Sequence, residues 1–118
     1  MNPLRIAVIG AGAWGTALAD FLSDIGHQTV LWIFEEDLCS RMKETNVNDL
    51  YLPDFSLHEN LEFTSDLVEA SSSGQDVILS AMPSHVVAKI WKSLSPTIHE
   101  ESTIVSVTKG FDPISVLL

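Results

Sequence analysis

Three glycines, Gly10, Gly12 and Gly15, stand at GxGxxG spacing directly after the short apolar run RIAVI (residues 5–9) and directly before a segment of helical periodicity. That pattern suits the binding of a pyrophosphate. A glycine at the first position can make a tight turn, one at the second lets the backbone approach a phosphate, and one at the third lets helix and strand pack closely. Amides of the first helical turn, helped by the helix dipole, then face the negative charge. Glu35 lies twenty residues beyond Gly15, at the end of the second apolar run, where a carboxylate can accept hydrogen bonds from an adenosine ribose. A 2′-phosphate would be repelled there, because Phe34, Glu35, Glu36 and Asp37 have no Arg or Lys nearer than Arg41. The residues imply a dinucleotide site that prefers NAD, with NADP as the alternative. Phe34, at the strand end, is placed to face the adenine.

The elements that must position these groups alternate along the chain. RIAVI reads as a strand buried on both faces. From Trp14, the apolar residues Ala17, Leu18, Phe21, Leu22 and Ile25 fall three and four apart, predicting a helix that turns this stripe to a sheet and ends at Gly26. TVLWIF (29–34) is a second strand, and Glu35, Glu36 and Asp37 open a helix reaching about Glu44. NVNDLYLPDFSLHENL (46–61), with its Asn, Asp and Pro, reads as a loop before a short strand at Leu61 to Thr64. Ser65 then caps a helix that Gly74 ends. DVILSAM (76–82) is a third clear strand, Pro83 and Ser84 open a helix carrying Val87, Ile90, Trp91 and Leu94, and TIVSV (103–107) is the last strand. The closing DPISVLL, with Ile114, Val116, Leu117 and Leu118, reads as the start of a helix needing a surface to pack on. Returning to a parallel neighbour takes a crossover of about a dozen residues or more, so this alternation predicts a doubly wound parallel α/β sheet, the Rossmann arrangement. Ligands of such sheets sit beyond the carboxyl ends of the strands, after Ile9, Phe34, Met82 and Val107.

Composition narrows the classes further. A chain of 118 residues fits a single domain, and 46% hydrophobic with 19% charged residues is a globular balance. A formal net charge of −10 opposes a phosphate backbone, so nucleic acid is not an expected partner. Cys39, the single cysteine, has no internal disulfide partner, and the opening MNPLRIAVIG lacks the features of a secretory signal, so the cytosol is the expected compartment. No apolar run approaches the roughly 18 residues of a membrane span, and no membrane partner is expected. His27, His58 and His99 lack metal-ligand spacing, and neither CxxC nor HExxH occurs, so no metal site is expected. His85 falls in the first turn of a helix and reads as a surface or capping residue.

Five ordered blocks, IAVIGAGAWGTALA (6–19), GHQTVLW (26–32), NDLYLP (48–53), PSH (83–85) and TKG (108–110), resemble the amino-terminal part of the NAD(P)-dependent glycerol-3-phosphate dehydrogenases. The resemblance implies hydride transfer between the cofactor and a small phosphorylated substrate, reducing dihydroxyacetone phosphate to sn-glycerol 3-phosphate for glycerophospholipid synthesis. It places Ala13 and Trp14 against the pyrophosphate, Phe34 beside the adenosine, and Lys109 near the nicotinamide and the substrate. A cation at the end of a central strand is also well placed to hold a phosphorylated substrate. Pro83, with Ser84 and His85, follows the third strand and borders the cofactor. Bacterial members commonly show Arg near Phe34 and Glu35, whereas the eukaryotic NAD-linked enzymes look like this chain in reading Phe, Glu, Glu. Asn48, Tyr51 and Pro53 belong to a family motif that shapes a loop, in which Leu50 replaces the usual Arg or Lys. The family continues into a helical substrate domain that supplies its proton-transferring lysine, and the full-length protein is expected to be a homodimer. These 118 residues are therefore expected to bind NAD without turnover. Alternatives are a ketopantoate reductase or hydroxyacid dehydrogenase of similar fold, which the TALA, YLP and TKG blocks disfavour, and a non-catalytic NAD-sensing domain.

Overall fold

RIAVI forms β1 (Arg5–Ile9), and every residue after Arg5 is buried, as a strand covered on both faces requires. The structure is a computed structural model and describes residues 3–72, 75–82, 103–106 and 115–117. β1 pairs in parallel with β2 (Gln28–Trp32) on one side and with β6 (Val77–Ser80) on the other. β5 (Glu62–Thr64) extends the sheet beyond β2, and β7 (Thr103–Ser106) extends it beyond β6. With β8 (Ser115–Leu117) at the edge, the six-stranded order is β5-β2-β1-β6-β7-β8. The chain builds outward from β1 in one direction and then returns to build outward in the other. β1 and β6 therefore flank the point where strand order reverses, with Ile9 beside Ser80 at its carboxyl end.

The predicted doubly wound sheet is present, with one departure at its edge. β8 runs antiparallel to β7, in the register Ile104 with Leu117, Val105 with Val116 and Ser106 with Ser115. The segment read as the start of a helix is thus a strand. Its backbone pairs with β7, the strand before it in the chain, and no periodicity within the segment itself announces that pairing. Gly74 and the helix predicted from Pro83 to Leu94 lie outside the described residues.

α1 (Ala13–Asp24) follows the glycine turn as expected, but the face it buries is not the predicted one. Gly15, Thr16, Ala19 and Ser23 are the buried residues, while Phe21 and Ile25 are exposed. The reason is steric. A helix held close to the strand by a glycine turn has room on its innermost line only for small side chains, so Leu22 packs on the core from the flank while Phe21 and Ile25 are turned outward. Gly26, at φ 105°, reverses the chain after α1; its amide donates to the Ser23 carbonyl at 3.1 Å and that of His27 to the Leu22 carbonyl at 3.0 Å. These bonds satisfy carbonyls left open at a helix end.

α2 (Glu36–Thr45) buries Leu38, Cys39 and Met42 and stops at Asn46, which adopts the left-handed conformation at φ 57°. The segment read as a loop then contains a small hairpin, β3 (Val47–Asn48) with β4 (Leu52–Ser56). Asn and Asp supply its turn, as their composition suggests, yet the flanking residues pair because Asn48 is anchored elsewhere in the fold. α3 (Leu67–Ser72) is capped by Asp66 rather than Ser65: the Asp66 carboxylate accepts from the amides of Val68 at 3.0 Å and Glu69 at 3.2 Å. Asp is as good a cap as Ser, and the Asp66 amide itself donates to the Thr64 hydroxyl at 3.0 Å, fixing its position.

Two apolar layers cover the sheet. On one face Ile6, Val8, Leu31 and Ile33 pack with Ala19, Leu38, Cys39 and Met42; on the other, Ala7, Ile9, Trp32 and Ile78 pack with Ala70 and Met82. Complete burial of an Ile or Leu side chain stabilises a fold by about 1.5–3 kcal/mol. These layers therefore hold the carboxyl ends of β1, β2 and β6 in fixed register. Among the described residues, no helix is long and apolar enough to cross a membrane.

Candidate dinucleotide-binding site

The glycine turn is built from contacts that exclude side chains at two positions and leave the third open. Gly10, at φ 119°, lies in a region that L side chains rarely adopt, and its amide donates to the Trp32 carbonyl at 3.2 Å. At Gly15 a β-carbon would collide with the Gly10 carbonyl oxygen and crowd the Ala81 side chain, so the first turn of α1 can approach the strand only with glycine there. Around Gly12, by contrast, a β-carbon would meet nothing within 4 Å. Space lies directly over the start of the helix.

That space faces hydrogen-bond donors. Gly12 is the N-cap of α1, with extended backbone and no side-chain cap, and the first turn carries no acidic residue. The ladder begins with the Thr16 amide donating to the Gly12 carbonyl at 2.9 Å. Helix geometry therefore leaves the amides ahead of Thr16 without an intrahelical acceptor. A pyrophosphate fits this cradle: it needs backbone donors, a positive dipole end and no intruding β-carbon. Ala13 and Trp14 occupy the same first turn, and Trp14 is half-exposed.

Phe34 and Glu35 follow β2, the parallel neighbour of β1, and so emerge at the same end of the sheet as Gly10. Phe34 is 73% exposed and so is no part of the core. Its ring meets Trp32 edge-on, with centroids 6.0 Å apart at 78°, and the Trp32 indole donates to the Ser65 carbonyl at 3.0 Å. An exposed aromatic face is thus held on a buried, hydrogen-bonded neighbour. Glu35 is the N-cap residue of α2, but its carboxylate makes no cap bond. It accepts instead from the Tyr51 hydroxyl at 2.6 Å. That bond holds the phenol proton and pushes the Tyr51 pKa above its usual value.

The structure therefore brings Gly10, Gly12, Ala13, Trp14, Gly15, Phe34 and Glu35 to one end of the sheet. Pro83 and Lys109 lie outside the described residues, as do Ser84 and His85. Two residues outside the glycine pattern join the site from below. Asn48 is fully buried, and its side-chain amide donates to the Ala11 carbonyl at 2.9 Å and to the Thr16 hydroxyl at 2.8 Å. Its side-chain oxygen accepts from the Tyr51 amide at 3.1 Å. The Thr16 hydroxyl in turn donates to the Ala11 carbonyl at 3.2 Å. The sequence signal for this brace was the NDLYLP block; what it touches could not be read from spacing. Arg41, the nearest basic residue after Glu35, is engaged by Asp49 through two hydrogen bonds of 2.8 and 2.9 Å. Among the described residues no group of three or more His, Cys, Asp or Glu side chains could hold a metal ion.

A doubly wound sheet whose first strand feeds an open glycine turn and a donor-rich helix start defines a Rossmann-type dinucleotide-binding domain. The family described as NAD-dependent glycerol-3-phosphate dehydrogenase N-terminus matches residues 5–118, and the chain belongs to that family. A glycerol-3-phosphate dehydrogenase [NAD(P)+] of Syntrophotalea carbinolica is 45% identical over 109 residues, covering 92% of this chain and 32% of the relative. The enzyme of the same name from Teredinibacter turnerae is 40% identical over 117 residues, covering 99% of this chain and 34% of the relative. Among solved structures, the glycerol-3-phosphate dehydrogenase of Coxiella burnetii superposes with a TM-score of 0.84 at 35% identity, covering 92% of this chain and 33% of that one. The chain thus spans about a third of the length of the curated relatives it matches.

Proposed function

We propose that this chain binds NAD across the glycine turn and Glu35, as the cofactor-holding part of an enzyme that interconverts dihydroxyacetone phosphate and sn-glycerol 3-phosphate. The observation that carries the reading is the clear space over Gly12 in front of helix amides that have no internal acceptor. Backbone donors of the first turn of α1 bind the pyrophosphate. Glu35 accepts hydrogen bonds from the adenosine ribose and repels a phosphate on it, and Phe34 covers the adenine. Bound there, the nicotinamide supplies or takes up a hydride. Pro83 borders the cofactor, and Lys109 holds the phosphorylated substrate, whose negative charge a strand-end cation offsets.

Titration with NADH, read by nicotinamide fluorescence, tests the binding. Saturable binding that NAD displaces and that NADPH achieves less well is the expected result; no binding of either reduced cofactor overturns the reading. Dihydroxyacetone phosphate is expected to cause no NADH oxidation by these 118 residues alone, because the relatives' activity belongs to chains about three times as long.

A further inference from the structure

We propose that Tyr51 is a positioning residue for cofactor selection: its hydroxyl holds the Glu35 carboxylate at the ribose end of the site, so the preference for NAD over NADP belongs to the pair. This rests on the reading that Glu35 meets the adenosine ribose.

Four observations support it. Glu35 stands where short side chains normally cap a helix, yet its carboxylate turns away from the α2 amides. The group that takes it is a neutral donor at 2.6 Å, a short charge-assisted bond. A lysine or arginine in that place would also orient the carboxylate, but would cancel the charge that excludes a 2′-phosphate. Arg41 is kept from that role by its two bonds to Asp49. Tyr51 therefore fixes direction and preserves charge. It also leaves Oε1 of Glu35 for a ribose hydroxyl, since the Tyr51 bond uses Oε2.

The position of Tyr51 is referenced to the pyrophosphate end of the site. Its amide donates to Asn48, and Asn48 grips the Ala11 carbonyl inside the glycine turn. One buried side chain thus sets the spacing between the glycine turn and the carboxylate.

Tyr51 is the single tyrosine of the chain, so ultraviolet titration of the phenol reports on it alone. The midpoint should lie above the ordinary value of about 10 and fall toward it in Glu35→Gln. An unchanged midpoint overturns the proposal without requiring cofactor or a Tyr51 variant. Dissociation constants for NADH and NADPH are then measured for wild type, Tyr51→Phe, Glu35→Gln and the double variant. Tyr51→Phe should weaken NADH while leaving NADPH unchanged or tighter, lowering the preference about 3- to 10-fold, as expected for loss of one charge-assisted hydrogen bond. In the Glu35→Gln background the same change should have no further effect. If Glu35→Gln weakens NADH but Tyr51→Phe leaves the preference intact, the Tyr51 proposal fails and the ribose reading stands. If Glu35→Gln alters neither cofactor, the ribose reading fails and the proposal falls with it. Equal effects of Tyr51→Phe in both backgrounds make it a packing residue and also overturn the proposal.

Discussion

The side-chain amide of Asn48 donates to the carbonyl of Ala11 across 2.9 Å, joining two buried residues that are 37 apart in sequence. The hairpin thereby braces the glycine turn through a buried side chain, while the space at Gly12 stays open. Asn48→Ala removes a buried donor and acceptor and leaves the Ala11 carbonyl with the 3.2 Å Thr16 bond alone. The expected cost is about 1–3 kcal/mol, read from urea unfolding, with weaker NADH binding in the folded variant. Unchanged stability would show that the brace does not hold the turn.

Gly12 and Gly15 should respond oppositely to the same added methyl group. Gly15→Ala drives a β-carbon into the Gly10 carbonyl and is expected to destabilise the fold markedly. Gly12→Ala enters open space from an ordinary backbone conformation, φ −66°, and should leave the unfolding free energy within about 0.5 kcal/mol of wild type. Its effect should appear in NADH affinity, because the methyl group would fill the space proposed for the phosphate. Thermal unfolding and NADH titration on both variants separate the two outcomes.

Glu35→Arg should improve NADPH binding relative to NADH, since a guanidinium pairs with the 2′-phosphate that the carboxylate repels. The ratio of the two dissociation constants measures it. A ratio that stays constant or moves toward NADH argues against a ribose role for Glu35.

Cys39 offers a reporter of opening. It lies on the buried face of α2, and burial pushes its thiol above the ordinary value, against a smaller opposing effect of Lys43. Its contribution to stability is fully present below the pKa of the unfolded thiol and is lost as pH rises through the higher folded value. At neutral pH a thiol-specific reagent should therefore modify it only as fast as the fold opens, and urea should accelerate labelling in step with unfolding. Rapid modification of the folded chain would contradict this.

The parallel strands and the glycine turn were legible because their signals are local. RIAVI and TVLWIF are unbroken apolar runs, as doubly covered strands must be, and glycines punctuate the helix between them. What was illegible depended on contacts between distant residues. Phe21 and Ile25 formed the more apolar stripe of α1, but the closeness demanded by Gly15 gave the inner face to Thr16, Ala19 and Ser23. The hairpin reads as loop because Asn48 reaches Ala11, far from it in sequence, and β8 reads as helical because Ile114, Val116, Leu117 and Leu118 carry no strict strand alternation, so that only the pairing with β7 decides for a strand. In the candidate site, residue type together with spacing and the flanking elements marked Gly10, Gly12, Gly15 and Glu35. That Tyr51 would hold Glu35 required the fold.

The small hairpin contributes nothing to the main sheet, yet it touches the glycine turn, α1 and the carboxylate at the end of β2. Residues 10–51 should therefore tolerate exchange between relatives best when they are exchanged together. A chimera joined inside that stretch would confront Asn48 with a foreign turn or Tyr51 with a foreign acid. Junctions placed beyond residue 60 would keep all of these contacts within one parent, including the His58 amide that donates to Asp20.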